Sequence, residues 1–237
     1  SLVEDHLKLG LFDQAKETVR QGYQADKESA GSYWKSRYRT IEAQERLPKK
    51  PSFSAEARAI RKLVVGVALW PRNTKARRLL RELFVDWGDA SYSKGEYAAA
   101  KDSYEASLLY FPKKAKEELT GEPQKGEPRE ARFKRLVLKY DRVEYRRVQA
   151  LVELMKLKIE PDEGDQTYYG KLDKCYRKLA EIYQDYGRND EALELLREAE
   201  KAGQVIVDTF GGILPEGIIR EIADLDAKEC LYESALR

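Results

Sequence analysis

The chain has 237 residues, 42% of them hydrophobic and 36% charged, with 44 Lys and Arg against 42 Asp and Glu for a formal net charge of +2. That balance excludes a wholly disordered chain and supports helices buried along one or two faces, while the near-neutral total supplies no global attraction to nucleic acid or anionic lipid. No apolar run approaches the roughly 20 residues that span a bilayer, and Cys175 and Cys230 have no second Cys or His at metal-ligand spacing.

The two cysteines are therefore expected as buried structural thiols, with a disulfide only if the fold brings them together. The chain opens on Ser1 and contains a single methionine, Met155, so it reads as a fragment or a processed chain. The cytoplasm is the expected compartment, an extracytoplasmic one being left open by that truncated start.

Residues 2–27 read as a helical hairpin, with Leu2, Val3 and His6 before a turn at Gly10 and Phe12, Ala15, Val19 and Gly22 after it. His6, the only histidine, falls where a packing side chain is needed. Over 32–47, Trp34, Tyr38 and Ile41 recur at helical spacing, and Pro48 and Pro51 close that helix. The next helix runs over 54–70, with Ala59, Leu63 and Gly66 as its close-packing positions. Asn73 is the expected N-cap of a long helix that starts at Thr74 and carries Leu79, Leu83 and Trp87.

From Phe84 onward the local chemistry is most explicit. Two antiparallel helices joined at Lys94 and Gly95 need small residues where they cross, which Gly88 and Ala100 supply, while Trp87, Tyr97 and Tyr104 fill the space around them and Pro112 stops the second helix. This spacing resembles the tetratricopeptide repeat, with Ser91 and Ser107 standing where Tyr and Ala are usual. The resemblance is clearest over 81–114 and over 173–203, where Tyr176, Leu179, Ala180, Tyr183, Gly187, Ala192, Leu196 and Ala199 fill the same slots without a terminal proline; a degraded form covers 2–27. It implies an all-α fold, a right-handed α-solenoid of such hairpins spanning 1–237 as a single domain, closed by a C-terminal capping helix within about 204–237.

Residues 113–127 hold two glycines and Pro123 with almost no apolar side chain, and are expected to form a mobile loop. Pro128 suits the first turn of a helix that meets no breaker before Ile159, with Phe133, Leu136, Tyr140, Val143, Leu151 and Leu154 expected to face the rest of the fold. On the same helix Arg132, Arg135, Lys139, Arg142 and Arg146 recur every three or four residues within an arc of about 80°. This stripe reads either as a solvated edge matched internally by acids such as Glu194 and Glu198, or as a dock for an acidic segment or a phosphate backbone. Residues 161–165 form a turn whose three acids lack the remaining ligands of a calcium loop. From Val205 to Gly217 the chain becomes apolar with paired glycines, and a last amphipathic helix carries Ile218, Ile222, Leu225 and Leu231.

No glycine-rich phosphate loop precedes a helix, and one histidine leaves no nucleophile–base arrangement, so no enzyme activity, cofactor or metal is expected. The resemblance implies instead a surface that binds a peptide or helix. The candidate partner-binding residues are Arg132, Arg135, Lys139, Arg142 and Arg146 together with Lys174, Arg177 and Lys178. In co-chaperones of that family a C-terminal carboxylate is gripped by Asn and basic residues; here Glu82, Asp86 and Asp89 would repel one, and Glu181 replaces the Asn beside Lys174, Arg177 and Lys178. The expected partner is a protein or peptide segment, with RNA or another polyanion on the basic helix 129–158 as the alternative.

Overall fold

The structure, a computed structural model, describes residues 2–47, 53–112, 129–212, 217 and 220–225, the side chains of 53 and 129–135 excepted. All regular secondary structure among these residues is helical: α1 (Leu2–Lys8), α2 (Phe12–Ala25), α3 (Lys27–Arg46), α4 (Phe53–Leu69), α5 (Thr74–Ser93), α6 (Tyr97–Leu108), α7 (Arg129–Ile159), α8 (Gln166–Asp185) and α9 (Asn189–Phe210), then 220–225. The chain forms two compact units. Unit 1 comprises Ser1–Asp86 with Leu109–Phe111, and unit 2 comprises Trp87–Leu108 with Pro112–Arg237. The loop expected at 113–127 lies outside the described residues.

Three hairpins, α1–α2, α5–α6 and α8–α9, turn in the same way. Gly10, Gly95 and Gly187 sit at φ of 73°, 76° and 71°, a left-handed backbone that disfavours any side chain. In each case the residue after the glycine donates its amide to a carbonyl in the last turn of the preceding helix: Leu11 to His6 (2.9 Å), Glu96 to Ser91 (2.9 Å) and Arg188 to Tyr183 (3.0 Å). These bonds satisfy carbonyls that a helix end otherwise leaves open.

In unit 1, α2 packs on α1, α3 on α2 and α4 on α3. Val3, Ala15, Val19 and Ile41 are buried together, with Phe12, Trp34 and Tyr38 against them. Gly22 lets the α2 backbone approach α3, since a Cβ there would lie 2.7 Å from the Trp34 ring. Asn73 caps α5 as expected, accepting from the Ala76 amide at 3.0 Å. Its amide nitrogen also donates to Ser36 Oγ (2.7 Å) and Thr40 Oγ1 (3.0 Å), so one side chain ties α3 to the start of α5. The helix expected over 32–47 begins earlier, at Lys27, but Ala30 is non-helical (φ −127°, ψ 19°), so the regular part does start near Ser32.

In unit 2, α7 packs on α6, α8 on α7 and α9 on α8. A Cβ at Gly88 would come within 2.4 Å of the Tyr104 ring, which is fully buried and donates its hydroxyl to Asp89 Oδ1 at 2.7 Å. Asp165 caps α8 by accepting from the Thr167 amide at 2.8 Å. Two expectations change here. Leu136 and Tyr140 are 57% exposed rather than buried, and the buried apolar side chains of α7 begin further along, at Val148, Leu151, Leu154 and Met155. Length accounts for it: α7 has 31 residues against 20 in α8, so about 46 Å of helix lies beside about 30 Å, and Tyr140 meets only the edge of Tyr186 at the end of that partner, ring centroids 5.7 Å apart. Residues 205–210, expected within a separate cap, are the last turns of α9, which ends at Gly211 (φ 68°). Leu225 is buried against Ala180, Ala192, Leu193 and Leu196, with Ile222 beside it.

Candidate partner-binding surfaces

Of the basic side chains singled out in the sequence, Arg146, Arg177 and Lys178 form ion pairs within unit 2. Arg146 reaches across to α8, with Asp185 at 3.3 Å and Glu181 at 3.5 Å. For Arg146 the matching acids are thus on α8, the helix that lies against α7, and not Glu194 or Glu198 of α9. Arg142 is half-buried with interactions of its own, Lys139 is exposed, and the side chains of Arg132 and Arg135 lie outside the described residues. On α8, Arg177 pairs with Asp173 (3.3 Å) and Glu221 (3.6 Å), Lys178 pairs with Glu153 of α7 (3.0 Å), and Lys174 is exposed. Burial pushes the Asp173 carboxyl up against the pull of Arg177. Cys175 is a free, buried thiol whose pKa burial raises; Cys230 lies outside the described residues.

Beneath these pairs is a charged cluster. Arg147, buried on α7, donates to Glu144 (2.9 Å) and to the Tyr183 hydroxyl (3.3 Å) and lies 3.6 Å from Asp89. Burial works against the guanidinium charge, but the bond to Glu144 and the two carboxylates hold it firmly protonated. Tyr186 donates to Glu144 at 2.6 Å, and burial together with that acceptor raises its pKa.

A different surface lies in unit 1, where α2, α3 and α4 form a groove of about 530 Å³. Helix α2 contributes Val19, Arg20 and Tyr23; α3 contributes Trp34, Lys35, Tyr38 and Arg39; α4 contributes Val65 and Leu69. Arg20 donates to the Tyr38 hydroxyl at 3.0 Å, with its guanidinium 5.4 Å from that ring, and also pairs with Glu17 at 3.3 Å. Arg39 pairs with Glu42 at 2.7 Å. Lys35 Nζ lies 5.5 Å from the Tyr23 ring and has no carboxylate partner among the described residues. Cations over ring faces leave the rings' apolar bodies and the remaining N–H donors available together. The lining holds three cations and no carboxylate, and Val65 and its neighbour Val64 are 46% and 41% exposed.

The sequence marks Val19, Trp34 and Tyr38 only as packing residues and does not single out Arg20, Tyr23, Lys35, Arg39, Val65 or Leu69. The available signal was the pair of i,i+4 steps on α3, Trp34 to Tyr38 and Lys35 to Arg39, which lays an aromatic row beside a cationic one. A second concavity, about 420 Å³ in unit 2, sets Tyr92, Tyr176 and Tyr183 against Glu191, Glu194 and Glu198, but Arg197 and Lys201 also line it and Lys158 already lies 5.5 Å from Tyr176. Its charges largely cancel. No described helix is long and apolar enough to cross a membrane. No family model matches the chain, and no curated protein matches it significantly.

Proposed function

We propose that the chain is a non-catalytic scaffold or adaptor that binds a segment of a partner protein, and that its tetratricopeptide-like hairpins stack as a right-handed α-solenoid. The observation that carries the binding role is the unit 1 groove, an apolar and aromatic channel with the exposed Val65 at its edge and a rim of donors. Grooves of a few hundred Å³ between helices, apolar with a few placed polar groups, suit side chains of a docked segment. The repeated glycine turn and the packing of successive helices over α1–α4 and over α6–α9 support the stacking. The basic stripe on α7 lends the polyanion alternative little, since Arg146 is matched from within.

Affinity capture with the wild-type chain beside a Val65→Asp variant tests the binding role. A protein retained by the first and lost from the second is expected; identical captured sets would remove the groove as the site. Small-angle scattering tests the stacking, for which an elongated particle is expected and a spherical one would end the solenoid reading.

A further inference from the structure

We infer that the unit 1 groove takes an acidic amphipathic segment, in which one large apolar side chain enters between Tyr23, Trp34 and Leu69 and flanking Asp or Glu side chains meet Lys35, Arg20 and Arg39. The inference rests on the segment-binding reading and adds the chemistry of the partner. The floor excludes a purely polar occupant, because a charged or amide group placed among aromatic and aliphatic carbons would lose water without gaining partners. The rim selects the sign: three cations line the groove with no carboxylate, so a basic segment is repelled and an acidic one attracted. Lys35 is the residue on which that choice turns. Arg20 and Arg39 already spend donors on Glu17 and Glu42, whereas the Lys35 ammonium rests on the Tyr23 ring with no carboxylate among the described residues. An incoming carboxylate there forms an ion pair without breaking one. Nothing in this arrangement requires a free chain end, so the segment can be internal to its protein.

The test is to pan a displayed library of random peptides against the whole chain and to synthesise the enriched sequences with amidated C-termini. Enrichment of Asp and Glu around a Trp, Phe or Leu is expected. Lys35→Glu should raise Kd about tenfold and flatten its salt dependence, and Val65→Asp should abolish binding. Both side chains are exposed, so both variants should melt as the wild type does. A peptide with Lys in place of one acid should recover affinity for Lys35→Glu. Peptides that need the groove but show no acidic bias would overturn the inference and leave the segment-binding reading standing. Enrichment that survives Val65→Asp would overturn both. Self-association of the wild type that Val65→Asp abolishes would make a second copy the occupant, and would also overturn the inference.

Discussion

In unit 1 the buried polar side chains that tie α3 to α5 are neutral: Asn73 bonds Ser36 and Thr40, and Ser36 in turn donates to the Gly66 carbonyl at 2.6 Å, while Arg81, also buried, sets its guanidinium 4.7 Å from the Phe111 ring. In unit 2 the comparable place holds Arg147, Glu144 and Asp89 with three tyrosine hydroxyls around them. Both arrangements pin helices that are not joined by a short turn, but they fail differently. Removing a neutral partner leaves an unbonded dipole, whereas removing Arg147 from the charged cluster leaves the largely buried Glu144 carboxylate without that counter-ion, Asp89 being half exposed. The charged cluster thus has more to lose from a single change than the neutral network, although its intact pairs add little over well-packed apolar residues.

The largest effect should come from Arg147→Ala, which takes its cation from the largely buried Glu144 while leaving the Tyr186 bond, and is expected to lower stability by about 3 kcal/mol in denaturant titration. A loss no greater than that of an exposed arginine such as Arg78 would show that water reaches the cluster. The matched glycines separate the units next. Gly88→Ala forces a methyl against a Tyr104 ring held in place by its bond to Asp89, so overpacking of about 1–3 kcal/mol should outweigh the gain in helix propensity. Gly22→Ala meets Trp34, whose indole nitrogen has no hydrogen bond to lose, so that ring can shift and the loss should be clearly smaller. Equal melting of the two variants would remove the distinction between a tethered and an untethered ring. Asn73→Ala should cost about 1–2 kcal/mol by removing a helix cap and a donor to two hydroxyls, and Asn73→Asp should restore the cap alone.

Acid gives the smallest effect and reverses sign between the units. Burial opposes ionisation of Glu42, but its bonds to Arg39 and Lys62 prevail and hold its pKa below the ordinary 4.5. Its contribution is therefore present above pH 4.5 and lost as pH falls through the folded value. The stability difference between wild type and Glu42→Gln should be under about 1 kcal/mol at neutral pH and vanish in acid. Burial raises Asp173 instead, so its folded form binds a proton more readily than the unfolded chain, and stability falls as pH rises from the ordinary 3.8 through the folded value. Asp173→Asn should flatten that part of the pH profile, and an unchanged profile would place Asp173 in contact with solvent.

What can be read without the structure is what depends on neighbours in sequence. The Asn73 cap, the Gly95 turn and the unbroken run to Ile159 follow from spacing alone, and the structure has each of them. Leu136 and Tyr140 were misplaced because periodicity identifies an apolar face but not whether a partner helix is long enough to cover it. Arg147 is one cation among 44, and only the approach of Asp89 and Tyr183 from other helices distinguishes it. The groove was hidden for the same reason, since its lining comes from three helices and no one of them carries the cavity.

The three hairpin glycines differ from Gly22 and Gly88 in one respect: a Cβ at Gly10, Gly95 or Gly187 would meet no atom within 4 Å. Space does not select glycine at these turns; chirality does. An ordinary residue would be opposed only by its own backbone, by about 1–2 kcal/mol, and by the same amount at each turn whatever its size. A residue of inverted configuration would find that backbone at its own minimum. The hairpins are thus closed by handedness alone, a rule indifferent to the side chains that distinguish one unit from the other.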